Sequence, residues 1–133
     1  MNRGGSPSTP GSQAGQVLFV LRSANMAITT DQAFTRLFPG TNYRITDIIA
    51  VRKTGGASVA CLGGIYDAAS KGGSAIVAVG QSWVALAASV NVVPTIEAVV
   101  ATALLSATPF LSLSTGSTAA CTADVFIFGY CVD

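Results

Sequence analysis

The side chains that most often carry out catalysis are scarce in this chain of 133 residues. It contains no histidine, so the usual general base and the commonest protein metal ligand are both absent. Its three cysteines, Cys61, Cys121 and Cys131, are widely separated and include no Cys-x-x-Cys pair, which is not a zinc-binding pattern. The sequence therefore predicts no metal site and no cofactor.

Six carboxylates remain as candidate acid–base groups: Asp31, Asp47, Asp67, Glu97, Asp124 and Asp133. A glycosidase needs two of them at a defined separation, but no spacing in the sequence singles out a pair. Turn chemistry accounts for Asp67, and backbone bonds or an ion pair at a sheet corner account for Asp47. A phosphate loop is also excluded, because its motif places glycine before the Lys–Ser/Thr pair, whereas in the segment from Lys71 to Ser74 the glycines follow the lysine. We predict no catalytic residues and no enzymatic activity.

The cysteine count favours thiols over disulfides. Three is an odd number, and all three cysteines lie among apolar or small residues. The N-terminal residues lack an apolar h-region, so no signal peptide is expected. Buried free thiols in a reducing compartment are the prediction, and a Cys121–Cys131 disulfide is the alternative.

The composition indicates a surface covered by protein. Half of the residues are hydrophobic and 10% are charged, against about 25% charged in ordinary soluble domains. A membrane is a poor cover, because residues 84–105, the most apolar window, include Asn91, Pro94 and Glu97. We therefore predict an oligomer or a larger protein assembly, and no membrane association.

The basic residues are unevenly placed. All seven lie within the first 71 positions, although the net charge is only +1. Either the first half contacts a more acidic partner, or a β-rich chain happens to carry its charges early. The candidate partner-binding residues are Arg3, Arg22, Arg52, Lys53 and Lys71. The sequence has no basic cluster beyond the pair Arg52–Lys53 and no interleaved aromatic residues, so nucleic-acid binding is not predicted.

Two regions are expected along the chain. Residues 1–15 have the Gly, Ser and Pro composition of a linker, which predicts an extended N-terminal arm. Residues 16–133 suit a single domain. Strands are predicted at residues 16–22, 25–29, 43–52, 81–88, 110–114 and 123–132, with a hairpin over 59–79. Residues 30–38 and 96–105 fit either a strand or a short helix.

Alternation along two of these strands predicts their faces. In the strand over residues 43–52, Tyr43, Ile45, Ile49 and Val51 are expected to share the buried face. In the last strand, Val125 and Ile127 share one face, whereas the other carries Phe126, Phe128 and Tyr130. Neither of its faces is polar. The aromatic face is predicted to be a subunit interface, and a second layer of the domain's own core is the alternative.

Roughly eight short strands separated by turn signals predict an all-β protein, an antiparallel β-sandwich of jelly-roll type. Four segments also resemble a known family: residues 43–48, 63–66, 69–73 and 122–129. They are similar to head decoration, or cement, proteins of tailed bacteriophages, which have a jelly-roll fold. The resemblance covers roughly residues 25–133, and its motifs are fold-like, not catalytic.

The resemblance implies a structural role in the virion. A decoration protein of this kind is made in the host cytoplasm and is a homotrimer. It binds the major capsid protein on the outer capsid surface and stabilises the shell. The alternative is a fibre-associated or host-recognition module that binds glycans, because jelly rolls also occur in lectins. A glycan site would want an exposed Trp or Tyr beside carboxylates or amides. Trp83 is the only Trp, and a core position is the simpler expectation for this residue.

Overall fold

The computed structural model describes residues 16–38, 40–55, 60–86, 91–97, 105 and 107–132, so the predicted arm over residues 1–15 lies outside the described residues. The described chain forms eight strands and no helix. The strands are β1 Gln16–Asn25, β2 Gln32–Ala33, β3 Thr35–Arg36, β4 Tyr43–Gly55, β5 Leu62–Ala68, β6 Gly72–Val77, β7 Phe110–Thr115 and β8 Cys121–Cys131. The predicted all-β class is confirmed.

The strands form two four-stranded antiparallel sheets. The first sheet has the order β3-β1-β8-β4, and the second has the order β2-β7-β5-β6. Both sheets contribute side chains to one buried cluster, in which Ile127 of the first and Leu111 of the second are fully buried. The predicted antiparallel β-sandwich is therefore confirmed.

Strand β8 lies between β1 and β4 and alternates strictly between core and outside. Ala123, Val125 and Ile127 are fully buried, whereas Phe126 and Phe128 are only half-buried. Complete burial of a Val or Ile side chain stabilises a fold by about 1.5–3 kcal/mol. The predicted division of this strand into two faces is confirmed.

Strand β4 departs from the alternation that the sequence predicts. Tyr43 and Ile45 are buried as expected, but Ile48 and Ala50 follow them into the core. A bulge between Ile45 and Asp47 adds one residue to β4 relative to β8. Because side chains alternate with a period of two, one extra residue reverses the faces of the residues that follow it, here as far as a second bulge between Arg52 and Thr54.

The same bulge decides where the two remaining residues of the predicted buried face lie. Ile49 is half-buried and Val51 is 36% exposed, both on the outer side of the sheet. Their assignment to the buried face was wrong.

The segments between β1 and β4 also differ from expectation. The strand predicted at residues 25–29 is absent, since Asn25 ends β1 and residues 26–31 form a connection. Over residues 30–38 the strand alternative is confirmed by β2 and β3, with Phe34 buried between them. No helix forms there.

The segment between β6 and β7 contributes isolated bridges. Within its described part, Ser82 bridges to Leu62, but no strand forms over residues 81–86. Ile96 and Leu105 bridge to Val77 and Tyr43, while residues 98–104 lie outside the described range. Over residues 96–105, therefore, only the two end residues, Ile96 and Leu105, are seen to make strand-like bridges.

Residues 91–97 connect the two sheets along the side where the edge strands β4 and β6 lie. Val92 exchanges two backbone hydrogen bonds with Ala50 of β4, at 2.8 and 3.0 Å. Farther along, the Glu97 N–H donates to the Ile76 carbonyl of β6 at 2.9 Å. One short segment therefore joins the edge of the first sheet to the edge of the second.

The contact between β8 and β4 leaves no room for a side chain at Gly129. A Cβ atom there would lie 1.9 Å from the Arg44 carbonyl oxygen, which is backbone and cannot move aside. We expect Gly129→Ala to destabilise the domain by about 2–3 kcal/mol, because overpacking against a rigid neighbour forces a strand to shift.

Urea denaturation monitored by Trp83 fluorescence measures this effect. Gly80→Ala is the matched control, since a Cβ at Gly80 meets nothing within 4 Å. Its effect should not exceed about 1 kcal/mol in either direction. Equal unfolding free energies for the two variants would contradict the close-approach argument.

Candidate interaction surface

The outer face of the first sheet is largely apolar. Phe126 lies in register between Val20 and Ile49, and Phe128 lies in register with Val17. We call the set of outward-facing side chains of β1, β8 and β4 the outer apolar face; its members are Val17, Val20, Ile49, Val51, Phe126, Phe128 and Tyr130. Half-buried aromatic residues on a sheet surface are typical of protein interfaces.

Charged groups border the outer apolar face. The guanidinium of Arg22 lies 5.6 Å from the centre of the Phe126 ring, within cation–π range. Arg44 is in register with Tyr130, and Asp47 is in register with Phe128. This arrangement, an apolar centre with a charged border, is the usual anatomy of a protein–protein contact.

A basic corner lies at one end of this face, where a bulge in β1 exposes Ser23. Asp124 holds the bulge: its Oδ1 accepts the Ser23 N–H at 2.8 Å, and its Oδ2 is 3.7 Å from Arg22 Nη1. Lys53 reaches the same point from β4, and its Nζ donates to Ser23 Oγ at 2.7 Å. The structure thus brings Arg22 to Asp124 and Lys53 to the neighbouring Ser23, which leaves the corner with two cations and one carboxylate.

The ion pair in this corner contributes little to stability. Arg22 is 68% exposed, and an exposed pair at this separation is worth about 0–1 kcal/mol. Both cations therefore remain available to an acidic partner.

The other predicted partner-binding residues lie elsewhere. Arg3 is outside the described residues. Arg52 is in register with the fully buried Ala123, on the core side of β4, and its Nη1 donates to the Gly55 carbonyl. Lys71 lies in the turn between β5 and β6, so the structure brings neither the Arg52 side chain nor Lys71 to the Arg22–Lys53 corner.

Lys71 belongs to a polar cluster on the outer side of the second sheet. Its Nζ donates to Ser112 Oγ at 3.0 Å. Ser112 is 1% exposed and lies between the core residues Leu111 and Leu113, so its side chain points away from the core. The Ser112 hydroxyl also helps to hold the pKa of the Asp31 carboxyl below its usual value. The cluster therefore joins the β5–β6 turn to the connection before β2.

The turn that carries Lys71 is conformationally unusual. Ser70 and Lys71 both have φ of +58°, as in the centre of a type I′ turn, where Asn and Gly are favoured. The Gly72 N–H closes the turn on the Ala69 carbonyl at 3.1 Å. Asp31 Oδ2 accepts the Ser70 N–H at 2.6 Å, so a contact from outside the hairpin holds the strained residue.

The cysteines are free thiols, as predicted, with Cys61 and Cys121 buried and Cys131 half-buried. Cys121 and Cys131 are at opposite ends of β8, roughly 33 Å apart at a rise of about 3.3 Å per residue. The alternative of a disulfide between them was wrong. Burial raises the pKa of the Cys121 thiol, which lowers its thiolate fraction and its reactivity.

Trp83 is a core residue. It is fully buried, and its Nε1 donates to the Gly63 carbonyl at 3.0 Å. The core position expected for it is confirmed, and its ring is inaccessible to a sugar.

Within the described ranges, no three His, Cys, Asp or Glu side chains lie close enough together to hold a metal ion. That part of the chain also contains no helix long and apolar enough to cross a membrane. Comparisons of the chain with protein-family models, with curated proteins and with solved structures each found no match.

Sequence reasoning missed the contacts of Asp31 and the bulge at Ser23. Asp31 contacts Ser70 and Ser112 over long sequence separations, and no local pattern indicates such a pairing. For Ser23, the charged Arg22 after an apolar run was the one available signal that the strand changes character there.

The Asp31 cluster predicts a pH dependence of stability. The Ser70 N–H, and to a smaller extent the Ser112 hydroxyl and the Lys71 ammonium, hold the pKa of the Asp31 carboxyl below its usual value. A depressed folded-state pKa stabilises the protein above the unfolded value, near 3.9, and this contribution is lost as the pH falls through the folded value. We expect Asp31→Asn to lower the urea midpoint at pH 7 and to change it much less at pH 3.

A double-mutant cycle with Lys71→Met serves as the control. Because the two side chains meet through Ser112, the effects of Asp31→Asn and Lys71→Met should not be additive at pH 7. An equal loss of stability at both pH values would contradict the carboxylate's role.

Proposed function

We propose that this chain is a structural subunit that docks on a larger protein shell: a decoration protein of a tailed-bacteriophage capsid. The observation that carries the proposal is the outer apolar face. A row of half-buried aromatic side chains, in a chain with only 10% charged residues, favours a protein cover. Cementing a shell needs such a contact surface and needs no reacting group.

The sheet order supports the finer assignment to a jelly roll. The chain crosses from the first sheet to the second between β1 and β2, returns to the first between β2 and β3, and crosses to the second again between β4 and β5. It crosses back between β7 and β8, and Leu105 bridges to Tyr43 at the free edge of β4. Eight strand positions wound across two sheets in this way are what two nested Greek keys produce.

The Arg22–Lys53 corner is the part of the surface best suited to an acidic partner. It lies at one end of the first sheet and contains two cations and one carboxylate. We assign it to the contact with the major capsid protein, in a homotrimer on the outer surface of the virion. Several such corners on one oligomer bind a repeated surface multivalently, so a weak contact at each is sufficient.

A glycan-binding role has no comparable support. The candidate sugar platform, Trp83, is fully buried. Tyr66 is 6% exposed, so it offers no aromatic platform on the second sheet either.

The direct test is binding to shells. Capsids of the phage that encodes this chain, prepared without the protein, are mixed with the purified protein and sedimented. We expect stoichiometric co-sedimentation and a higher temperature of shell disruption. Folded protein that fails to bind the shells would overturn the proposal.

Charge variants test the corner. Arg22→Gln with Lys53→Gln should weaken shell binding about 3- to 10-fold at low ionic strength and reduce its salt dependence, because exposed interface charges act mainly through screened attraction. Lys71→Gln is the matched control on the opposite sheet and should leave binding unchanged. A loss confined to Lys71→Gln would instead place the contact on the second sheet.

A further inference from the structure

The turn of the β5–β6 hairpin reaches the outer side of the second sheet. We call residues 69–72 the hairpin tip. The Nζ of Lys71 in this tip donates to Ser112 Oγ at 3.0 Å. Ser112 lies on the side of β7 away from the core residues Leu111 and Leu113, yet it is only 1% exposed. The outer side of an antiparallel sheet is commonly solvated, so the burial of Ser112 means that other parts of the chain cover it.

The hairpin's own backbone pairing is weak near the tip. The register of β5 with β6 is irregular at two places, between Ile65 and Tyr66 and between Tyr66 and Ala68. Beyond Ala68, the Gly72 N–H closes the turn on the Ala69 carbonyl at 3.1 Å. Irregular register disrupts the ladder of backbone hydrogen bonds, and a segment with a disrupted ladder and exposed residues has a low local stability.

The two central residues of the turn add strain. Ser70 and Lys71 are exposed and both have φ of +58°, a conformation that favours Asn and Gly over other residues. Such a conformation persists only where the surrounding structure holds it. Two contacts from outside the hairpin do so here. Asp31 Oδ2 accepts the Ser70 N–H at 2.6 Å, and Ser112 accepts the Lys71 ammonium, across 39 and 41 positions of sequence.

From these observations we infer that the hairpin tip is a strap, which opens as a local unit while both sheets remain folded. Asp31 and Lys71 are its two latches. When both latches release, the turn leaves the sheet and uncovers the Ser112 hydroxyl and the Asp31 carboxylate. The open form presents a carboxylate, a hydroxyl and an ammonium that the closed form keeps paired.

This inference goes beyond the proposed function. The strap lies on the second sheet, whereas the proposed contact with the shell lies on the first. Opening of the strap and binding to shells are therefore measured separately, and the failure of one leaves the other standing.

Amide hydrogen exchange in a series of low urea concentrations tests the strap. The Ser70 and Gly72 amides should be protected, but they should exchange about a hundredfold or more faster than the bonded amides of β8. Urea should hardly change the rates at the tip, because local opening exposes little surface, and should steeply raise the rates in β8, which require global unfolding.

Two results of this measurement would overturn the inference. Equal rates with equal urea dependence at the tip and in β8 would show that the tip opens only when the whole domain unfolds. An unprotected Ser70 amide would show that the closed strap does not form.

Asp31→Ala tests the first latch. It should raise the exchange rate of the Ser70 amide about tenfold or more, because it removes a hydrogen bond to a charged acceptor. Asp124→Ala is the matched control, since Asp124 accepts the distant Ser23 N–H at 2.8 Å in the same way, but on the first sheet. The control should speed exchange in β8 and leave the Ser70 amide unchanged. An equal rise at Ser70 in both variants would contradict local opening.

Ser70→Asn tests the strain and leaves both latches in place. Asn adopts positive φ more readily than Ser, so the closed strap should gain stability and the amide at position 70 should exchange about threefold more slowly. Faster exchange at this position would contradict the role assigned to the turn.

Discussion

The structure depends on strand β8 being paired on both sides. Strands β1 and β4 flank it, so its backbone groups are taken up by neighbours, and only the side chains of its two faces remain to interact. The strict alternation then forces Val125 and Ile127 into the core and Phe126 and Phe128 outwards. The aromatic outer surface is thus a direct consequence of the order of residues in this strand. The close contact of Gly129 with β4 keeps the two faces of the strand in this orientation.

Much of this sandwich could be predicted from the sequence, because most of its strands can be recognised by their residue composition and by the turn residues that bound them. The last strand shows this best, since its two faces are visible in the order of Val, Phe and Ile. Strand β4 shows the limit. Its bulge near Asp47 cannot be recognised from the local sequence, yet it reverses the side chains from Ile48 to Arg52 and puts Arg52 on the core side, away from Lys53.

The candidate surfaces were predictable only in part, for a related reason. Phe126, Phe128 and Tyr130 could be placed on one face because they are neighbours in one strand. The corner of Arg22 and Lys53 depends on two strands and a carboxylate far away in the chain. The cluster of Asp31, Ser112 and Lys71 needs three elements to meet and a turn of unfavourable residues, which no local rule favours.

The pairing of Gln16 with Gly129 has a practical consequence for genetic fusion. It places the start of β1 beside the last residues of β8, so residues 16 and 132 lie at the same end of the domain. The Arg22–Lys53 corner is at the other end of the same sheet, where Ala24 pairs with Ala123. A segment joined directly at residue 16 or at residue 132 would therefore start at the end of the sheet opposite that corner, which suits the fold to display.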